Sequence, residues 1–126
     1  MIEERYCSNE VAKLLKEKGF DEPCQHFYKF DSNEIYRGTV FTNTQIGDKF
    51  YIAPTHQMAC DWLRNKGYHI EIYANASGYR FIISKPGGDG TDLVCDIEGT
   101  NDGGAWDDYG ECVETAIEYC LTELIK

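Results

Sequence analysis

Hydrophobic residues recur at helical spacing in three segments of the chain. The first two segments each follow a residue suited to cap a helix, and each ends at a glycine. In the third, apolar residues recur every three or four positions from Cys112 to Leu124, which is the strongest periodic signal in the sequence. The pattern predicts helices over residues 9–18 after the cap Ser8, from the cap Thr55 to the stop at Gly67, and over residues 109–125.

Between these helices, apolar and polar residues alternate as they do in strands that are covered on one face. Two hairpins are predicted, with strands over residues 26–30 and 35–41 and over residues 68–74 and 79–84. Shorter strands are predicted over residues 49–53 and 93–97. The sequence therefore predicts an α+β fold, with three helices packed on a mainly antiparallel sheet of four or five strands in a single domain over residues 1–126.

The two predicted helix–hairpin units, residues 8–41 and 55–84, have a weak sequence similarity to each other. Leu14, Leu15 and Gly19 align with Trp62, Leu63 and Gly67. A duplicated unit would explain this match, and so would the apolar stripe and glycine stop that many helices share. Both explanations stay open.

The composition is that of a globular protein. Apolar residues make up 42% and aromatic residues 13% of the 126 residues, which argues against disorder. No run approaches the length of a membrane span, and the first residues lack the apolar segment of a secretory signal. We therefore predict a cytoplasmic protein. The six cysteines are predicted to be reduced thiols, because nothing marks the chain as secreted, it is not small and no C-x-x-C pair is present.

The negative charge is confined to the last third of the chain. Residues 1–85 contain 11 acidic and 11 basic residues, whereas residues 86–126 contain 11 acidic residues and Lys126 alone, so 11 minus 1 accounts for the net charge of −10. Such an asymmetry can select a partner by charge, and aromatic residues within it are suitable anchors. The candidate interaction surface is Trp106, Asp107, Asp108, Tyr109, Glu111, Glu114 and Glu118.

The second helix has a distinctive sequence. Residues 53–64 read A-P-T-H-Q-M-A-C-D-W-L-R. This resembles an A-P-T-x-Q-x-A-x-x-W-[LF]-R element of small uncharacterised proteins from bacteriophages and mobile elements of gut anaerobic bacteria. The resemblance implies an origin of that type, and it implies no activity.

Cysteine, histidine and acidic residues are the groups in this sequence that could carry chemistry. His56 and Cys60 share a helix face, and Cys24 lies near His26, but neither pair has the spacing of a standard zinc module. The acidic residues after residue 88 do not follow the order of an EF-hand loop. We therefore predict no catalytic residue, no metal site and no cofactor. Because the basic residues are interleaved with acidic ones, we also predict no direct binding to nucleic acid.

These observations predict a non-enzymatic accessory protein of phage or mobile-element type that acts by protein–protein interaction. The negative charge of the chain favours a basic protein as the partner. One alternative is an acidic mimic of DNA that inhibits a host nucleic-acid-binding protein. A further alternative is a small hydrolase. The sequence leaves the oligomeric state and the identity of the partner open.

Overall fold

The computed structural model describes residues 5–87, 92–94 and 97–125. Within them the chain alternates short helices with short strands. The helices are α1 (Asn9–Glu17), α2 (Asn43–Ile46), α3 (His56–Asn65) and α4 (Tyr109–Tyr119), and a π-helical turn, Cys120–Leu124, follows α4. The strands are β1 (Cys24–Lys29), β2 (Ile35–Phe41), β3 (Phe50–Ile52), β4 (His69–Asn75), β5 (Gly78–Ser84) and β6 (Asp92–Val94).

Local signals set the ends of α1 and α3. The side chains of Ser8 and Thr55 each accept a hydrogen bond from a backbone N–H of the first helical turn, which has no partner within the helix. Gly19 and Gly67 follow the two helices with φ of +96° and +98°, a conformation that favours glycine. These four positions are the caps and stops that the sequence predicts.

The strands form two antiparallel sheets, with the orders β2-β1-β3 and β4-β5-β6. The prediction of one sheet with four or five strands differs from this arrangement. Alternation shows which face of a strand is buried, but it does not show which strands pair. In the structure β1 pairs with β2 on one side and β3 on the other, so the first sheet is complete without the β4–β5 hairpin.

One hydrophobic core joins the two sheets. It contains Ile52 of the first sheet, Phe81 and Ile83 of the second, Leu15 of α1 and Ile117 of α4, all almost fully buried. Helix α4 packs on β4 and β5, and α1 contacts both β3 and α4. Because both sheets contribute to one core, the chain is a single α+β domain, as the sequence predicts.

The helix α2 was not predicted, and three hydrogen-bonded side chains explain it. Thr42 and Gln45 form a capping box at its start. The buried Asn43 donates to the backbone oxygen of Phe20 at 2.7 Å and accepts from the backbone N–H of Ile52 at 3.0 Å. These bonds hold a four-residue helix that is too short to show a hydrophobic period.

The final helix and the last strand differ from their predicted ranges. Helix α4 ends at Tyr119, and the π-helical turn continues to Leu124. The strand predicted over residues 93–97 is described as Asp92–Val94, and residues 95–96 lie outside the described residues. A helix precedes a hairpin twice, in α1-β1-β2 and α3-β4-β5, and the duplication itself stays a prediction. Among the described helices, none has the length and apolar content that a bilayer span requires.

Candidate functional site

A cleft lined mainly by residues with polar groups lies where the N-terminal segment crosses the starts of α3 and α4. We call it the α4 cleft; its volume is about 540 Å³. At this crossing the guanidinium group of Arg5, the flexible end of its side chain, lies directly against Gly110. The lining residues are Arg5, Tyr6, Ser8, Tyr28, His56, Thr100, Trp106, Gly110, Glu111, Glu114 and Thr115.

Two backbone hydrogen bonds fix the N-terminal segment against the start of α3. The N–H of Cys7 donates to the carbonyl of Pro54, and the N–H of His56 donates to the carbonyl of Arg5, both at 2.9 Å. Tyr28 donates its hydroxyl to the carbonyl of Cys7 at 2.7 Å. Cys7 and His56 are therefore held side by side, although the chain between them forms the whole first sheet.

Glu114 of α4 joins this pair from the opposite side. Its Oε1 lies 3.1 Å from Nε2 of His56, and its Oε2 accepts the backbone N–H of Ser8 at 2.9 Å. The His56 and Glu114 side chains are only 13% and 23% exposed. Burial would raise the pKa of Glu114, but the hydrogen bonds from His56 and Ser8 outweigh it and hold that pKa below its usual value.

Cys7, His56 and Glu114 form a compact set of three donors, which we call the Cys7 cluster. One donor atom from each residue lies within 4.8 Å of the other two. The Cys7 side chain is fully buried, and burial raises the pKa of its thiol well above the usual value. A nucleophilic cysteine needs the opposite environment, since the thiolate is the reactive form, so the cluster is not arranged for cysteine catalysis.

The other described cysteines are also protonated core residues. Burial raises the pKa of Cys24, Cys60 and Cys112 to about 11 and that of Cys120 to about 12. Those four and Cys7 are free thiols, and Cys95 lies outside the described residues. Within the described part of the chain the thiols therefore behave as small apolar side chains.

The predicted acidic surface is divided by the structure. Trp106 is only 3% exposed, and Glu114 points into the α4 cleft. Asp108 caps α4 and pairs with Arg5 at 2.8 Å, and the hydrogen bond from Arg5 lowers the pKa of Asp108. Asp107 accepts a hydrogen bond from Asn101 at 3.0 Å. The remaining members, Tyr109, Glu111 and Glu118, are exposed.

The exposed apolar side chains lie elsewhere. Four of the five large hydrophobic residues that are exposed in the described chain lie between residues 30 and 40. Six of the seven residues of β2 are exposed, and β2 is an edge strand of its sheet. A register shift in the β1–β2 pairing, between Cys24 and His26, bends this edge. We call the exposed set the β1–β2 patch: Phe30, Ile35, Tyr36 and Val40.

Sequence reasoning did not find the Cys7 cluster or the β1–β2 patch. Ser8 and Glu114 are 106 residues apart, and His56 and Glu114 are 58 apart, so no local spacing reveals the cluster. His56 was considered with Cys60, which is not part of the cluster. The patch residues belong to an ordinary predicted hairpin, and only the pairing shows that β2 lies at an edge.

The chain matches no protein-family model, no curated protein and no solved structure. The similarity of residues 53–64 to bacteriophage and mobile-element proteins stays a prediction. Function is therefore inferred from the geometry of this chain alone.

The Glu114 geometry predicts an acid-dependent loss of stability. Because the folded-state pKa of Glu114 is lowered, its carboxylate stabilises the fold above the unfolded pKa of about 4.3 and loses that effect as pH falls through the folded pKa. Replacing Glu114 by glutamine should therefore lower the free energy of unfolding at neutral pH. The difference in this free energy between variant and wild type should become smaller below about pH 4. Urea unfolding at a series of pH values measures this.

The control is Glu118→Gln, which removes an exposed carboxylate from the same helix. This variant should follow the wild-type curve throughout. A Glu114→Gln deficit that stays constant through the acid range would contradict the role given to the carboxylate.

Proposed function

We propose that this protein acts by binding another protein through the β1–β2 patch. The supporting observation is the concentration of exposed apolar side chains on and beside one edge strand: Val40 of β2 is 54% exposed, and Phe30, directly after β1, is 52% exposed. A concentration of exposed apolar side chains in one short segment is typical of a protein interaction site. Aromatic side chains such as Phe30 and Tyr36 are the anchors that such interfaces favour.

The charge distribution favours the β1–β2 patch, rather than the acidic helix α4, as the binding surface. The patch lies in the part of the chain where 11 acidic and 11 basic residues balance. On α4, by contrast, Asp108 and Glu114 already have partners within the chain. A mimic of DNA needs free carboxylates that replace phosphates, and this face offers fewer than the sequence suggests.

The register shift between β1 and β2 limits the ways in which a partner can bind to β2. A regular edge strand adds a partner strand through its backbone hydrogen bonds, whereas a bulge limits such pairing. In this strand the regular pairing with β1 runs from Ile35 to Arg37. We therefore propose a contact made mainly by side chains, with strand addition restricted to the start of β2.

A capture experiment with matched variants tests this proposal. Tagged protein, expressed in bacterial cells and cross-linked, should capture a partner that remains bound at high salt, because apolar contacts are not screened. The double variant Tyr36→Lys with Val40→Lys should weaken the complex by at least about tenfold, since buried anchors contribute more than 1 kcal/mol each. Val40 is 54% exposed, whereas Tyr36 is 39% exposed and stacks on Phe27, so circular dichroism of the variant checks that the fold is retained.

The matched control reverses two charges on the acidic helix, Glu111→Lys with Glu118→Lys. It should retain the partner. If this control lost the partner while the patch variant kept it, the β1–β2 proposal would be wrong and the acidic face would be the binding surface. Sedimentation of the purified chain at several concentrations shows whether the partner is a second copy, which has the same patch.

A further inference from the structure

We propose that the Cys7 cluster binds a divalent transition-metal ion of the zinc type. A thiol sulfur, an imidazole nitrogen and a carboxylate oxygen lie within 4.8 Å of one another. These are the three donor types that zinc binds in proteins, and coordination itself deprotonates a thiol that is protonated in the ion-free protein. The inference is independent of the β1–β2 patch, which lies on the first sheet and shares no residue with the cluster.

The donors are held by the fold rather than by flexible chain. Cys7 and His56 lie on either side of the two backbone hydrogen bonds that join the N-terminal segment to the start of α3. Glu114 projects from the second turn of α4, a helix that packs on β4 and β5. A site assembled from three fixed elements loses little conformational freedom when it binds an ion.

The spacing requires only a small adjustment. Zinc bonds of about 2.0–2.3 Å in a tetrahedron place neighbouring donor atoms roughly 3.3–3.7 Å apart. The His56 and Glu114 donor atoms are already 3.1 Å apart, and the remaining separations are at most 4.8 Å. An ion replaces the direct His56–Glu114 hydrogen bond, and small side-chain rotations complete the geometry.

Hydrogen bonds around the cluster orient its members. The backbone N–H of Ser8 donates to the Glu114 carboxylate, and the hydroxyl of Tyr28 donates to the backbone carbonyl of Cys7. Outer contacts of this kind fix the direction of metal ligands and affect the affinity of a site. Both donors come from residues that also line the α4 cleft.

The position of the cluster leaves one coordination site open. His56 and Glu114 line the α4 cleft, whereas Cys7 lies behind them and is fully buried. An ion held by all three therefore faces the cleft with its fourth position. Three protein ligands and an exchangeable fourth ligand, such as water, distinguish a reactive zinc site from a closed structural one.

Titration of the reduced, metal-free protein with Co²⁺ tests the assignment. Cobalt replaces zinc in tetrahedral sites and adds a thiolate-to-metal absorption band when cysteine is a ligand. We expect one equivalent of Co²⁺ to produce this band, zinc to displace it, and zinc to raise the melting temperature. His56→Gln should weaken zinc binding by at least about tenfold, since even outer-shell changes reach that size.

Matched cysteine variants identify the thiolate. Cys7→Ser should abolish the band, whereas Cys60→Ser, at a neighbouring half-buried thiol outside the cluster, should retain it. If Cys7→Ser fails to fold, the partly exposed His56 still reports on the site. No band, a band that survives His56→Gln, or a band lost only in Cys60→Ser would each overturn the proposal and leave the cluster as a hydrogen-bonded pair beside a core thiol.

Discussion

Replacing Trp106 by alanine should lower the free energy of unfolding by about 3–5 kcal/mol. The side chain is 3% exposed, and its ring lies 5.4 Å from that of Phe81, centroid to centroid. Its backbone is also fixed, since Trp106 and Tyr79 exchange two hydrogen bonds of 2.9 and 2.8 Å. The deleted ring leaves a cavity in the core next to α4. Urea denaturation at neutral pH, followed by circular dichroism, measures the loss.

The control is Tyr109→Ala, an aromatic truncation three residues further along the chain. Tyr109 is 54% exposed and meets only the edge of Tyr79, so its removal should cost no more than about 1 kcal/mol. If the two variants were equally stable, Trp106 would be the surface anchor that its acidic neighbours suggest. A large difference would place it in the core.

The contrast between these two residues shows why part of the fold could be read from the sequence. The caps Ser8 and Thr55 and the glycine stops depend on a few adjacent residues, and their positions were predicted. The burial of Trp106 depends on a bridge to Tyr79, 27 positions earlier (106 minus 79). Its immediate neighbours, Asp107 and Asp108, indicate a solvated loop, and no local pattern reveals the bridge.

The same distinction applies to the candidate site. The sequence locates His56 correctly at the start of a helix, because Thr55 caps that helix. It does not bring Glu114 to His56, since that contact requires α3 and α4 to pack together. Glu114 has the helical spacing of a solvated face, and only the tertiary structure turns it toward Ser8 and His56. Long-range contacts thus decide both the core and the cluster.

The loop that contains Trp106 leads to a second large effect, at Gly78. Replacing Gly78 by alanine should destabilise the protein by about 2–5 kcal/mol. Its φ is +136°, and a Cβ there would overlap the carbonyl oxygen of Trp106 and approach its carbonyl carbon to 3.2 Å. Because that oxygen accepts the N–H of Tyr79, the chain cannot move aside without breaking the bridge. Thermal and urea unfolding measure the loss.

The variant Gly19→Ala separates the effect of backbone strain at a positive φ from the effect of the overlap with Trp106. Gly19 also has a positive φ, +96°, but nothing lies within 4 Å of the position of a Cβ. Its replacement should therefore cost only the backbone strain, about 1–2 kcal/mol. The additional loss in Gly78→Ala measures the close approach to the backbone of Trp106. If Gly78→Ala and Gly19→Ala lowered the free energy of unfolding equally, Gly78 at the start of β5 would not be in contact with the backbone of Trp106.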